Sequence, residues 1–179
     1  MTTLLMLDIC SGLEGASTSM KERGWRVVTV DNNPIFTPVI VADIRSWSWL
    51  FDRPDLIWCS PPCNEFAREF FVWCKTGIDP DMSIVLACKR IIEEVKPTYW
   101  VIENVRGAVK WFKPYLGKPS RIIYPYYLWG HFPDLGHVRV RSNKEHLSSS
   151  AAAERAKIPY AISKALTYAI EMQPELILV

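Results

Sequence analysis

"WCSPPCNEF" places Cys63 directly behind a Pro-Pro pair, and "IENV" later offers a carboxylate, Glu103. A thiolate can add to an electron-poor carbon, and a nearby acid can stabilise the charge that addition creates. Two other readings fit the same residues: a metal or disulfide fragment built on Cys59 and Cys63, or a tight structural turn. The five cysteines (Cys10, Cys59, Cys63, Cys74, Cys88) include no Cys-x-x-Cys pair, and all three histidines lie downstream of them. A four-ligand zinc set is missing, so no metal is expected, and the thiols are expected to be free.

Further candidates sit where other apolar runs end. "DICSGLEGAS" brings the small residues Ser11, Gly12, Gly15 and Ala16 together just ahead of a helical stretch. Such a turn lets backbone approach a bulky ligand, or it is simply a turn. Asp31 closes the second run, where an acid commonly takes ribose hydroxyls, and Asp43 closes the third. Each acid can equally be a helix cap.

The elements that must position these residues are short β-rich runs: "LLMLDI" (4–9), "RVVTVD" (26–31), "VIVAD" (39–43), "DLIWCS" (55–60) and "TYWVIEN" (98–104). Nearly continuous apolar strands alternating with helical stretches indicate an α/β fold with a mostly parallel sheet covered on both faces. The spacing predicts helices over 80–95, capped by Asp79 with Pro80 in its first turn, over 14–23, closed by Gly24, and over 159–172. Cys88 falls on the apolar face of the first of these and is expected in the core. Residues 106–136, rich in Pro, Gly, aromatic and basic residues, read as irregular surface with one strand, "RIIYPYYLW", and "SSSAAA" (148–153) as a short linker.

With 179 residues, 49% of them hydrophobic, the chain can bury one substantial core, so one domain over 1–179 is expected. It has no run long and apolar enough for a membrane span and no signal-like start, which predicts a soluble cytoplasmic protein. Charge is uneven. Residues 1–88 hold 7 basic and 11 acidic side chains, the remainder 14 and 8, so the C-terminal half either faces a polyanion or is a solvated basic surface.

The ordered set "DICSGLEG", "VDNNP", "VADI", "SPPCNEF", "ENV", "HVRVR" and "IPYAISKAL" resembles the DNA cytosine-5 methyltransferases, which use S-adenosylmethionine. The resemblance spans about residues 4 to 172 and rests on the combination and order of the pieces. It implies a Rossmann-like S-adenosylmethionine-dependent methyltransferase fold with an extra antiparallel strand. It also implies that Asp8, Cys10, Ser11, Gly12 and Gly15 hold the methionine part of the cofactor, Asp31 with Asn32 its ribose, Asp43 and Ile44 its adenine, with Ser60 and Pro61 completing the site. Cys63 is then the nucleophile that adds to carbon 6 of cytosine, making carbon 5 reactive towards the methyl group. Glu103 contacts ring nitrogen 3 and the exocyclic amine, and Arg139 and Arg141 help hold the base. The target nucleotide must be flipped or single-stranded.

The chain departs from the family pattern at Glu14 (for glycine), Cys10 (for an aromatic), Asn64 (for glutamine) and His137 (for glutamine). Only residues 142–158 stand between the paired arginines and the last helix, where the family carries a target-recognition domain. Low or relaxed sequence specificity follows, supplied by residues 64–79, by 106–136, or by a homo-oligomer or accessory partner. The resemblance extends to compact phage enzymes, which would place the protein in a bacterial host's cytoplasm. Alternative functions are methylation of RNA cytosine, a free nucleotide or an exocyclic amine, and a non-catalytic nucleic-acid- or cofactor-binding homologue.

Overall fold

The structure, a computed structural model, describes residues 3–67, 79–140, 154 and 156–173. Seven strands form one sheet: β1 (Leu5–Ile9), β2 (Arg26–Asp31), β3 (Ile40–Val41), β4 (Leu56–Cys59), β5 (Tyr99–Asn104), β6 (Arg121–Ile123) and β7 (Tyr126–His131). Their order is β3-β2-β1-β4-β5-β7-β6. The first five are parallel and β7 runs antiparallel against both β5 and β6. This is a Rossmann-like α/β architecture. Its strand order reverses between β1 and β4, and the crevice beyond the carboxyl ends at such a switch point is where open α/β sheets bind ligands.

Continuous apolarity along β1 and β4 has its cause in double coverage: every residue of both strands is buried. Alternate side chains go to opposite faces. On one face Met6, Leu56, Trp58, Val101 and Leu128 pack under Met20 of α1 (Thr18–Glu22) and Ile162, Leu166 and Ile170 of α5 (Tyr160–Glu171). On the other, Leu7, Ile9, Ile57, Cys59 and Ile102 pack under Val85, Cys88, Ile91 and Ile92 of α3 (Ser83–Val95), joined by Phe66 of α2 (Asn64–Ala67) and Phe112 of α4 (Val109–Leu116).

Four sequence expectations change in the folded chain. The third strand shrinks to Ile40–Val41. The helix expected from residue 80 starts at Ser83, because the Asp81 carboxylate accepts from Ser83 N (2.8 Å) and Ser83 Oγ (2.9 Å), a local turn that competes with helix. The helix expected over 14–23 is only Thr18–Glu22, since residues 11–17 are drawn into the turn that follows β1.

Residues 106–136 are the largest correction. They are largely regular: a 3-10 turn (Arg106–Ala108), α4, and the β6–β7 hairpin that completes the sheet, with residues 132–136 outside any helix or strand. "RIIYPYYLW" is two strands, because Pro125 lacks the N–H needed to continue a ladder and the chain reverses at Tyr124-Pro125. Gly130 is required where β7 crosses β5. It has φ +153°, and a Cβ there would lie 2.0 Å from the Trp100 carbonyl oxygen. No helix among the described residues is long and apolar enough to cross a membrane.

Candidate active site

The turn after β1 is wound tightly. Cys10, Gly12 and Glu14 all have φ near +50°, and Glu14 N donates to the Ser11 carbonyl at 2.7 Å. Left-handed backbone costs a non-glycine residue about 1 kcal/mol, so Cys10 and Glu14 hold the turn under strain. Glu14 is tied down in return: its carbonyl accepts from Thr18 Oγ1 (3.0 Å) and its carboxylate pairs with Lys21. Gly15 has a different task. A Cβ there would lie 2.4 Å from Ile158 O and 2.7 Å from Ile158 N, so glycine alone admits the segment leading into α5. Ser163 secures that contact by donating to the Ala16 carbonyl (2.6 Å) and accepting from Ser19 N (3.0 Å).

This turn walls a cleft of about 290 Å³ at the β1/β4 switch point. Of the residues expected to bind a cofactor, Asp8, Cys10, Ser11, Gly12, Gly15, Asp31, Asn32, Asp43, Ile44 and Ser60 line it. Pro61 does not: it is buried, and its carbonyl accepts from Asn104 Nδ2 at 2.9 Å, leaving Pro62 at the cleft wall. Asp31 is oriented through backbone, accepting from Gly12 N and Asn33 N, each at 2.9 Å. Asp43 sits at the rim, gripped by Arg45, whose hydrogen bonds draw its carboxyl down to about 2. Arg90 of α3 braces that rim by donating to the carbonyls of Ile44 (2.9 Å) and Trp47 (2.7 Å).

Sequence reading missed several walls of the cleft. Phe36, Ile84 and the Ala156–Lys157–Ile158 segment line it as well. "NNPIF" carried no signal for Phe36, while the glycine at 15 was a hint that another backbone comes close.

Two buried polar atoms here have no partner among the described residues, Asp8 Oδ2 and Ser11 Oγ. Leaving such groups dry costs about 1–3 kcal/mol each, and both residues line the cleft. Burial pushes the Asp8 carboxyl up to about 7, against a hydrogen bond from Ser17. An unsatisfied acid and hydroxyl at the end of β1 suit a polar ligand that brings its own donors and acceptors.

The second group of candidates gathers at the ends of β4 and β5. Trp58 Nε1 donates to Ser60 Oγ at 2.7 Å, and Ser60 in turn hydrogen-bonds Glu103. Desolvation dominates, lifting the Glu103 carboxyl to about 8, so at neutral pH it is an acid with a proton to donate. Cys63 is half-buried and close enough for Glu103 to act on it: burial first, then the Glu103 charge, push the thiol up. Phe66, three residues on, anchors the chain by meeting Phe112 edge-on at 5.0 Å. Tyr126 also feels Glu103. It lies two residues from Leu128, the cross-strand partner of Glu103, and burial with the Glu103 charge raises its phenol.

Arg139 donates its Nε–H to His137 Nε2 at 2.9 Å, and the groups acting on the Cys63 thiol do not include it. Arg141, Cys74, most of the 64–79 segment and "SSSAAA" lie outside the described residues. Cys10, Cys59, Cys63 and Cys88 are free thiols, and Cys59 and Cys88 are core residues. Among the described residues no group of three or more His, Cys, Asp or Glu side chains is arranged to hold a metal ion.

No family model matches the chain, and no curated protein does. Solved structures do. The fold is similar to that of the Entamoeba histolytica methyltransferase EhMeth, at 19% identity and a TM-score of 0.52, over 81% of this chain and 58% of that one. It is also similar to a protein encoded within an E. coli prophage and described as a DNA modification methyltransferase, at 18% identity and a TM-score of 0.51, over 72% of this chain and 46% of that one. The chain thus spans about half the length of these proteins, and at such identities the likeness is one of fold.

Proposed function

We propose that the chain is a single-domain, S-adenosylmethionine-dependent methyltransferase that modifies carbon 5 of cytosine in DNA, with low or relaxed sequence specificity. One observation carries this reading. A cysteine and a carboxyl that stays protonated at neutral pH, Cys63 and Glu103, come within electrostatic reach beyond adjacent strand ends, beside a cleft whose buried Asp8 Oδ2 and Ser11 Oγ have no partner among the described residues. The likeness in fold to EhMeth and to the prophage protein supports it.

Asp8, Ser11, Asp31, Asp43, Ile44 and Ser60 are the residues that would hold the cofactor. Bound there, S-adenosylmethionine supplies an electrophilic methyl group. The work of the chain's own residues concerns the base. Glu103, protonated and aligned by Ser60, donates a hydrogen bond to ring nitrogen 3, which drains charge from the ring and makes carbon 6 susceptible to a thiolate. Cys63 forms the bond to carbon 6 and leaves it when the carbon 5 proton has been lost to a base. Asn104 fixes the Pro61 carbonyl and with it the direction from which Cys63 approaches. Arg139 and Arg141 are assigned to holding the base.

One observation favours a second reading, a non-catalytic homologue that binds cofactor and nucleic acid: the Cys63 thiol is pushed up, the reverse of an activated thiol at rest. The two readings separate in one experiment. Incubated with S-adenosylmethionine and DNA containing 5-fluorocytosine, the chain should form a denaturant-resistant adduct that Cys63→Ala abolishes. An RNA arm tests the alternative substrate. Cofactor binding without adduct or transfer on either nucleic acid would leave the non-catalytic reading standing, and labelled methyl on adenine or an exocyclic nitrogen would overturn the proposed mechanism.

A further inference from the structure

We infer that an exposed basic stripe, Arg106, Lys110 and Lys113 continued by Lys118, grips the phosphate backbone of a nucleic acid strand beside the mouth formed by Cys63 and Glu103. The inference deepens the proposed function and rests on it only for the identity of the mouth. From Asn104 to Pro133 the chain has five lysines and arginines and no aspartate or glutamate. Arg106, Lys110 and Lys113 follow one another at i, i+4 and i+7, so the 3-10 turn and α4 present them along one side. All four basic residues are exposed. The opposite side is committed to the core, with Phe112 fully buried between Phe66 (5.0 Å) and Trp129 (4.8 Å).

An ordinary solvated helix looks different in this same molecule. On α3 the half-buried Lys89 and Arg90 are each matched by a glutamate four residues on, Glu93 and Glu94. Arg106, Lys113 and Lys118 have no carboxylate partner among the described residues, while the Lys110 ammonium lies 4.5 Å over the Trp111 ring. Arg121 is excluded from the stripe because it pairs with Asp134 at 3.6 Å and donates to the Gly136 carbonyl. The charges of Arg106, Lys113 and Lys118 repel one another, and a polyanion laid along them relieves that repulsion.

The dimensions fit a strand. A helix rises about 1.5 Å per residue, so Arg106 and Lys113 are roughly 10 Å apart along the axis. Phosphates of one strand advance about 3.4 Å per nucleotide, which matches about three of them. Arg106 follows Glu103 by three residues, within roughly 10 Å of chain, so phosphates on the stripe would flank a nucleotide whose base reaches Glu103.

The test measures binding of a mixed-sequence oligonucleotide, as single-stranded DNA, duplex DNA and RNA, against salt concentration. It is done in Cys63→Ser, so that the result does not depend on whether the chain methylates. Adding Arg106→Gln, Lys113→Gln and Lys118→Gln should weaken binding at least tenfold at low salt and reduce the slope of log K against log salt by about 2–3. A control with Arg26→Gln, Lys89→Gln and Lys164→Gln should keep the original slope. Cofactor affinity and the thermal transition, unchanged in both, show that the variants are folded. Preference for one nucleic acid among the three would name the strand the stripe holds. An unchanged slope in the stripe variant, an equal loss in the control, or no binding by the parent to any of the three overturns the inference, whereas failure of methyl transfer alone does not.

Discussion

Asn104 Nδ2 donates to the Pro61 carbonyl at 2.9 Å, so the strand that carries Glu103 also holds the turn that leads into Cys63. The Asn104 side-chain oxygen accepts from Val105 N at 2.9 Å, which leaves the amide one orientation. Nucleophile and acid are thereby positioned by neighbours in a single strand. Asn104→Ala should cost about 1–2 kcal/mol of stability, since a buried bond is lost and a carbonyl left dry. It should lower kcat more than it raises KM, checked by denaturation and steady-state methyl transfer.

Glu103 should set the alkaline limit of activity. Its carboxyl is raised to about 8 by burial, so the donor form persists at neutral pH and is lost as pH climbs past that value. Methyl transfer should fall above about pH 8, Glu103→Gln should remove that limb, and Glu103→Ala should lose roughly 10²–10³ in kcat. A pH–rate profile of the three proteins checks this.

The Cys63 thiol should react slowly when the site is empty of substrate. Burial and the Glu103 charge both push it up, so removing that charge lowers it again. Glu103→Gln should speed alkylation of Cys63 at pH 9, where Glu103 in the parent is ionised. Mass spectrometry of iodoacetamide-treated protein resolves Cys63 from Cys10, and equal rates would remove Glu103 as a cause.

Stability should decline with rising pH through the neutral range. Asp8 (3.8 to about 7) and Glu103 (4.5 to about 8) are both raised on folding, so the folded state binds more protons between those values. Their contribution is complete below about pH 4 and is lost as pH passes 7 and then 8. Each adds a slope on the order of 1.4 kcal/mol per pH unit inside its window. Asp8→Asn and Glu103→Gln should each flatten the curve of denaturant midpoint against pH.

Gly15→Ala and Gly12→Ala should separate crowding from strain. A methyl at 15 strikes the Ile158 backbone at 2.4 Å, whereas one at 12 meets nothing within 4 Å and suffers only from φ +48°. Gly15→Ala should displace residues 157–158, costing about 1–3 kcal/mol and most of the cofactor affinity. Gly12→Ala should cost about 1 kcal/mol. Isothermal titration with S-adenosylhomocysteine, alongside melting curves, reads both.

Pattern alone was enough for much of the scaffold. β2 runs from Arg26 to Asp31 and β5 ends at Asn104 as the apolar runs indicated, and Cys59 and Cys88 are core. These follow from local periodicity, because a strand buried on both faces must be apolar throughout. The small residues after β1 and the acid closing β2 were legible for a related reason: a tight turn and a strand end restrict residue type within a few positions.

Tertiary structure decided what depends on partners distant in sequence. Pro125 could have warned that "RIIYPYYLW" breaks, but only the sheet shows β7 inserted between β5 and β6, with Gly130 against Trp100. Lys157 and Ile158 reach the cleft because Gly15 and Ser163, far apart in the chain, let α5 dock on α1. The protonation of Asp8 and Glu103 is likewise invisible in a string of letters. A carboxyl keeps its proton when water is excluded from it, and that exclusion is a property of the packed core around it.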